Sequence, residues 1–448
     1  MKHKDYLCLG AGASRAWDNL EAALDLANSN ECDYLIFDSL TEKNIVQFAR
    51  NKKEGRTAWE PHLERRMRAI IPACAATHTK ILTNIGGGDP HGAAVRVAEL
   101  CAETGASGLK VVAVVGDDVL DQVRALDPEV IETGQRVSEL GDRLVGATAY
   151  TGAAPLAEAL GVGADIVVAG RAGDSPQYLA PMIHEFGWAS DDWDKLAKGL
   201  CVGHIVECAG QASGGYFADP PYKVVPDLHL IGFPMIRMDP DGDATVTKLP
   251  DTGGVVNRMT CLEQLVYEIG DPADYRHNDA IVDFTTTEIN DIGPNLVRVT
   301  GTTGHPKPPT VLVCLSVDEG YFGMGKTCYG GDSAYERAQI AADVIKKRLE
   351  IKGVDTSNVR FDYVGVNSIF PWKGDVPIPK EVMLRVVGQF PTYDEAHLIF
   401  EMVLEMPCNG PTGSTWSRLI EGGGVEKVTA MYSTLIPQED FHPEVVEI

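Results

Sequence analysis

Residues 320–327 read Gly-Tyr-Phe-Gly-Met-Gly-Lys-Thr, a letter-for-letter match to G-x-x-x-x-G-K-[ST]. How this octapeptide is read decides the fold around it. In a nucleotide-binding P-loop, a glycine-rich loop wraps backbone N–H groups around phosphates. A helix then opens at the Lys-Thr pair with its positive end facing them. Here Thr327 is followed by Cys-Tyr-Gly-Gly-Asp-Ser, and the paired glycines Gly330 and Gly331 oppose a helix start. The next helix is predicted to begin only after Asp332 or Ser333, several residues beyond Lys326. In a chain with 46 glycines among 448 residues, such a match also arises by chance. The octapeptide is therefore read as a glycine-rich loop that binds no nucleotide.

The flanking pattern supports this. Residues 311–317 read as a strand, and Ala338, Ala341, Ala342, Ile345 and Leu349 mark one face of a helix over 333–350. Residues 361–366 and 382–390 read as strands. A second helical face over 393–405 carries Ala396, Ile399, Phe400, Val403 and Leu404, and 425–435 closes the series. The order β-α-β-β-α-β is that of a ferredoxin-like unit, not of the parallel sheet of nucleotide phosphatases. It is assigned to an α+β domain over 309–448.

Working back toward the start, short apolar runs at 6–10, 34–38, 81–84, 111–116, 147–150 and 166–170 alternate with stretches of helical period. Nearly unbroken apolar strands separated by helices predict a largely parallel sheet with flanking helices, here over 1–200. Residues 201–308 read as a mixed, strand-rich region. The fold class is thus α/β, with an N-terminal largely parallel sheet followed by α+β regions.

Parallel sheets bind ligands at the carboxyl ends of their strands, and here those ends are polar and glycine-rich. They include GAGAS (10–14), DSLTE (38–42), NIGGGDP (84–90), VGDDV (115–119) and GRAGDS (170–175). Helix capping alone accounts for many such turns. Substrate contacts are assigned to Asn84, Gly87 and Asp89 in NIGGGDP and to Arg171, Asp174 and Ser175 in GRAGDS. GAGAS begins like a dinucleotide fingerprint, but Arg15 stands where a third small residue is needed, and Trp17 and Asp18 follow. Glu42, at the distance of a ribose-binding acid, is read as solvated, and no cofactor site is assigned.

Residues 203–219 concentrate reactive groups: His204, Glu207 and Cys208, then Gln211 and the pair Gly214-Gly215. Read as a strand, the segment turns His204 and Cys208 to one face and Glu207 to the other. Glu207 is the candidate general base, His204 or Cys208 the acid, and Gln211, Gly214 and Gly215 the amide donors. Lys248, in the turn 248–254, joins Arg171 as a candidate holder of a substrate carboxylate. Asp89, Asp117 and Asp118 are the reserve acids. No metal is expected, because no further ligand stands at a usual spacing.

A formal charge of −25 excludes nucleic acid and anionic membrane surfaces as partners. The ten cysteines show no C-x-x-C pairing, which fits reduced, buried thiols. Neither a signal-type apolar stretch nor a membrane-length run is found, so a cytoplasmic location is expected.

Taken in order, GAGASRAWDN (10–19), DYLIFDSL (33–40), NIGGGDP, VGDDV, GRAGDS, the long block 185–220 and the segment 248–275 resemble the acyclic terpene utilisation protein A (AtuA-type) family. The resemblance runs from residue 6 to about residue 350. It implies a role beside enzymes that degrade branched acyclic terpenes through acyl-CoA thioesters. It also implies a separately encoded small subunit as a partner. A small-molecule substrate and self-association into a homo-oligomer are expected as well. The expected function is an enzyme, a lyase of hydratase or dehydratase type, acting on a small carboxylic acid or acyl-CoA thioester. The alternatives are a non-catalytic ligand-binding subunit of a larger complex and a nucleotide-dependent ligase using residues 320–327.

Overall fold

The computed structural model describes residues 5–370, 377, 379–415 and 424–448. By compactness the chain forms two units, Met1–Ser316 with Met431–Ile448, and Val317–Ala430.

The first unit opens with β1 (Leu7–Ala13), α1 (Leu20–Ser29), β2 (Tyr34–Phe37), α2 (Glu42–Lys53), α3 (Leu63–Thr77), β3 (Lys80–Thr83), α4 (Pro90–Glu103), β4 (Val111–Val115) and α5 (Leu120–Leu126). It continues with β5 (Leu144–Ala149), α6 (Ala154–Gly161), β6 (Ile166–Ala169), α7 (Pro176–Phe186) and α8 (Trp193–Glu207). The central strands are parallel in the order β1-β2-β3-β6-β4. Every residue of β1, β2 and β6 is buried, as strands covered on both faces require. The chain advances in one direction from β1 to β4 and then reverses to insert β6 between β3 and β4. Right-handed crossovers put helices from the two directions on opposite faces. The turns after β3 and β6 therefore part at a topological switch point, where a crevice opens.

Residues 201–308, read from sequence as a region of their own, add antiparallel strands to this same sheet. They supply β7 (Pro234–Met238), β8 (Ala244–Lys248), α9 (Arg258–Leu265), β9 (Tyr275–Arg276), β10 (Ile281–Asp283), β11 (Glu288–Gly293), β12 (Leu296–Thr300) and β13 (Thr303–His305). The sheet continues from β1 as β7, β8, β12 and β11, while β13-β10-β9 form a separate three-stranded sheet.

The second unit is built on β14 (Thr310–Gly330), α10 (Ala334–Ile351), β15 (Val359–Val364), β16 (Glu381–Phe390), α11 (Tyr393–Leu404), α12 (Met406–Asn409), β17 (Ser414–Thr415) and β18 (Val425–Pro437). A last strand, β19 (Glu444–Glu447), returns to the first unit and lies antiparallel beside β4. β15 and β14 flank β16, both antiparallel to it, and β18 pairs with β14, which is the ferredoxin-like arrangement. Ala338, Ala341 and Ile345 of α10 and Ile399 and Val403 of α11 meet Leu384 and Val386 of β16 in one core.

Four local readings are corrected. The octapeptide 320–327 is a strand, not a loop. Tyr321 to Gly330 pair in register with Phe390 to Glu381, and Lys326 stands opposite Arg385. Its glycines serve packing: a Cβ on Gly323 would lie 2.1 Å from the Ala396 carbonyl, and one on Gly325 2.6 Å from Val403. GAGAS is likewise mostly strand, since β1 runs to Ala13 and a Cβ on Gly12 would strike the Phe37 ring at 2.6 Å. The run at 147–150 lies in and just past β5, which pairs with β14 and not with the parallel strands. Residues 202–207 are the end of helix α8, not a strand. A short apolar run does not reveal its period, and this one continues a helix that begins at Trp193.

Candidate functional site

The helical correction changes what the 203–219 segment can do. Positions i and i+3 share a helix face, so His204 and Glu207 meet where a strand would have parted them. His204 Nδ1 lies 3.0 Å from Glu207 Oε1, and the Ser175 hydroxyl donates to Glu207 Oε2 at 2.8 Å. All three residues are buried. One carboxylate thus ties the end of α8 to the GRAGDS turn. The His204 ring stacks on Phe284 at 5.5 Å and packs against Tyr275 at 5.3 Å, and its Nε2 has no partner among the described residues.

Electrostatics bind the pair. Burial lowers the His204 imidazole, but the charge and hydrogen bond of Glu207 outweigh it and hold it above its ordinary value. Burial raises Glu207, only partly offset by His204. Both shifts have the same direction, toward holding a proton on the pair.

Arg171 anchors the rest of the GRAGDS turn. Its backbone N–H donates to Asp117 Oδ2 at 3.0 Å, Nη1 donates to the Leu40 carbonyl and to Asp174, and Nη2 donates to Glu42 at 2.6 Å. The guanidinium also lies over the Tyr150 ring, 4.6 Å from its centroid. Burial opposes the charge, yet Asp174, Tyr150 and Glu42 together raise the guanidinium further. Both terminal nitrogens are engaged, and Nε has no partner among the described residues. Asp38, at the end of β2, is buried behind this network. Burial and the nearby Asp174 push it well above the carboxylate range, against the Arg171 charge and the Asn84 Nδ2 amide, which donates to Oδ1 at 2.5 Å. Asn84 Oδ1 in turn accepts from the Ser39 N–H at 2.6 Å, tying β2 to β3.

Beside these groups opens a cavity of about 260 Å³ lined by Glu42, Tyr150, Arg171, Asp174, Glu268, Tyr275 and His277, among others. Burial lowers the His277 imidazole to about 4, helped by His204, so it is neutral at physiological pH. His204 and Glu207 stand one layer behind the wall, covered by Tyr275.

The other expected residues fall elsewhere. Asp89 caps α4, accepting from the Gly92 N–H at 2.9 Å, and Gly87 occupies a left-handed turn under Ala58. Lys248 donates to the Thr252 carbonyl at 2.6 Å within its own turn. Gln211 accepts from Gln264, and Gly214 and Gly215 pack on Val225 and Gly210. None of these reaches the cavity. Cys208 caps the helix, and burial pushes its thiol up, which removes it as a source of thiolate. Sequence reasoning missed Asp38, Tyr150, Glu268, Tyr275 and His277. The DSLTE turn signalled the first, but nothing in a single sequence shows that β9 and its flanks fold back on GRAGDS. Among the described residues no group of three His, Cys, Asp or Glu side chains forms a metal cluster.

Fold and cavity together describe an α/β protein with a small polar cavity at the carboxyl rim of a parallel sheet. The family model described as acyclic terpene utilisation family protein AtuA matches residues 7–446, and the chain belongs to that family. Membership implies involvement in acyclic terpene utilisation. No curated protein and no solved structure matches the chain. No helix among the described residues is long and apolar enough to cross a membrane.

Proposed function

We propose that the chain is an enzyme that moves a proton next to the carbonyl of a small carboxylic acid or the acyl part of its CoA thioester, as a hydratase or dehydratase does. The observation that carries this reading is the buried Ser175–Glu207–His204 chain, with an unpartnered imidazole nitrogen, behind a cavity sized for a small acyl group. Glu207 orients the imidazole and stabilises its charged form, and His204 takes and returns the proton. Arg171 and Asp174 position the substrate end through the GRAGDS turn, with Arg171 acting by its field because its terminal nitrogens are engaged.

Glu207→Gln tests this. Turnover should fall by about 10² to 10⁴, the size of a general acid–base contribution, because the imidazole loses the carboxylate that orients it and stabilises its charged form, while the melting transition survives. Normal turnover in a folded Glu207→Gln protein would sink the reading. The second reading is a non-catalytic ligand-binding subunit, which is favoured by the position of His204 behind Tyr275. Under it, the variant changes ligand affinity and there is no turnover to lose.

A further inference from the structure

We propose that the face built from residues 214–231 and the outer side of α9 is where two copies of this chain join about a two-fold axis. Large apolar side chains stand in the open there. Tyr216 and Tyr222 are 82% and 86% exposed, Val224 and Leu230 follow on the same segment, and Met259 and Val266 are exposed on α9 and just past it. They belong to one surface. Lys223, between Tyr222 and Val224, pairs with Glu263, which lies one turn beyond Met259 and one turn before Val266 on the same helix face. The Tyr216 ring meets that of Tyr267 edge-on at 6.4 Å. Leu230 lies against the turn leading into α9, its carbonyl accepting from the Gly253 N–H at 2.7 Å.

The segment is pinned in place. Asp219 and Lys223 exchange backbone hydrogen bonds at 2.9 and 2.8 Å, the Gly254 N–H donates to the Pro226 carbonyl at 2.8 Å, and the Lys223 ammonium lies over the Phe217 ring, 4.6 Å from its centroid. An apolar face ordered in advance loses little entropy on association. Its area selects the occupant. At these exposures the two tyrosines present about 350 Å² and the four other side chains about 400 Å² more. The total, about 750 Å², exceeds the largest patch of a typical monomer, roughly 300–600 Å², and matches the about 800 Å² that each partner brings to a standard interface. A two-fold axis sets the patch against its own copy, so one contact covers both and leaves no part of it open. Charge opposes this only weakly. Lys223 and Glu263 neutralise each other, Arg258 at the start of α9 and Glu268 just past its end carry opposite signs, and Asp219 and Asp227 remain, against a formal charge of −25 for the chain. Salt screens that repulsion and leaves the apolar attraction, so the dimer should tighten as salt rises.

Sedimentation equilibrium of the full chain across micromolar concentrations, at low and high salt, tests the proposal. A monomer–dimer equilibrium that tightens with salt is expected. Tyr222→Asp and Met259→Asp, one change on each half of the face, should each weaken it by at least about thirtyfold, the size of a buried hot-spot loss. Ile351→Asp, at an equally exposed apolar position at the end of α10, should leave it unchanged. At a concentration where every chain is monomeric, the near-ultraviolet circular dichroism of the variants should match the parent's, because each changed side chain is exposed. A chain that stays monomeric throughout, which would leave the face to a different protein, overturns the proposal. So does a dimer that survives both changes, one that Ile351→Asp weakens equally, or one that salt dissociates.

Discussion

Two glycine-rich stretches in this chain look alike on paper and do opposite work. GRAGDS at 170–175 is a turn whose first glycine lets a carboxylate approach: a Cβ on Gly170 would sit 1.9 Å from Asp117 Oδ2. GYFGMGKT at 320–327 is a strand whose glycines let a helix approach, with Ala396 of α11 pressed against Gly323. The motif that resembled a phosphate loop holds packing, and the GRAGDS turn holds the buried charges. Glycine content therefore marks close approach, and only the approaching partner distinguishes a site from a core.

If that contrast is right, the turn should fail through electrostatics. Arg171 is fully buried and holds Asp174 and Glu42. Arg171→Met keeps the bulk and removes the charge, leaving carboxylates without a cation. Breaking a fully buried pair costs about 3 to 5 kcal/mol, and the partial exposure of Asp174 and Glu42 places this loss at the lower end. Urea unfolding should show a midpoint lowered accordingly, whereas a loss below about 1 kcal/mol would mean that the network contributes little to the fold.

A smaller effect follows from pH. Burial pushes Asp117 up to about 6, against its bond from the Arg171 N–H. Its unfolded value is near the ordinary 3.9 or so. Between these values the folded chain binds the extra proton, so the stability Asp117 contributes is full below about pH 4 and lost as pH rises through 6. Asp117→Asn cannot titrate. The stability of the parent relative to this variant should therefore fall between pH 4 and 6 by on the order of 3 kcal/mol. Asp279, also raised to about 6, and His277, lowered to about 4, titrate in both chains and cancel in the difference. Parallel stability curves for the two chains would contradict the burial of Asp117.

The strand should instead fail through volume. A Cβ at position 323 meets the backbone of Ala396 at 2.1, 2.8 and 3.0 Å, so α11 must move for Gly323→Ala to fit. Overpacking of this kind costs about 1 to 3 kcal/mol, with no pH dependence of its own. A lower melting midpoint at constant turnover per folded molecule is the expected result. An unchanged midpoint would show that α11 yields freely.

The legibility of the sequence follows the same divide. The ferredoxin-like unit was readable because Ala338, Ala341, Ile345 and Leu349 repeat at helical spacing, and β15 and β16 are bounded by turns. The parallel strands were readable from their apolar runs, with the exception of β5, whose composition matches theirs but whose partner is β14. At the site, Glu207, His204, Arg171, Asp174 and Ser175 were singled out by residue type and by position at strand ends and a domain-like junction. Their mutual geometry was not readable, because a strand reading and a helix reading of GHIVEC place Glu207 on different faces. Tyr275 and His277 join the site through pairing between β9 and β10, a contact with no local signature.

The smallest effect is the one that closes the nucleotide question. Lys326 lies mid-strand, facing Arg385 across the ladder, and Arg385 already pairs with Asp362 at 2.7 Å. No helix begins at Thr327, since α10 starts at Ala334, so no helix N-terminus stands at Lys326-Thr327 to cradle a phosphate, and the segment lies in the ladder with β16 instead. Lys326→Ala removes one of two like charges placed opposite each other, and the stability change should stay within about 0.5 kcal/mol. Calorimetry with ATP or GTP and magnesium should give no saturable heat in either chain. Micromolar nucleotide binding lost in Lys326→Ala would require the strand to open into a loop, and would return residues 320–327 to the reading their spelling first suggests.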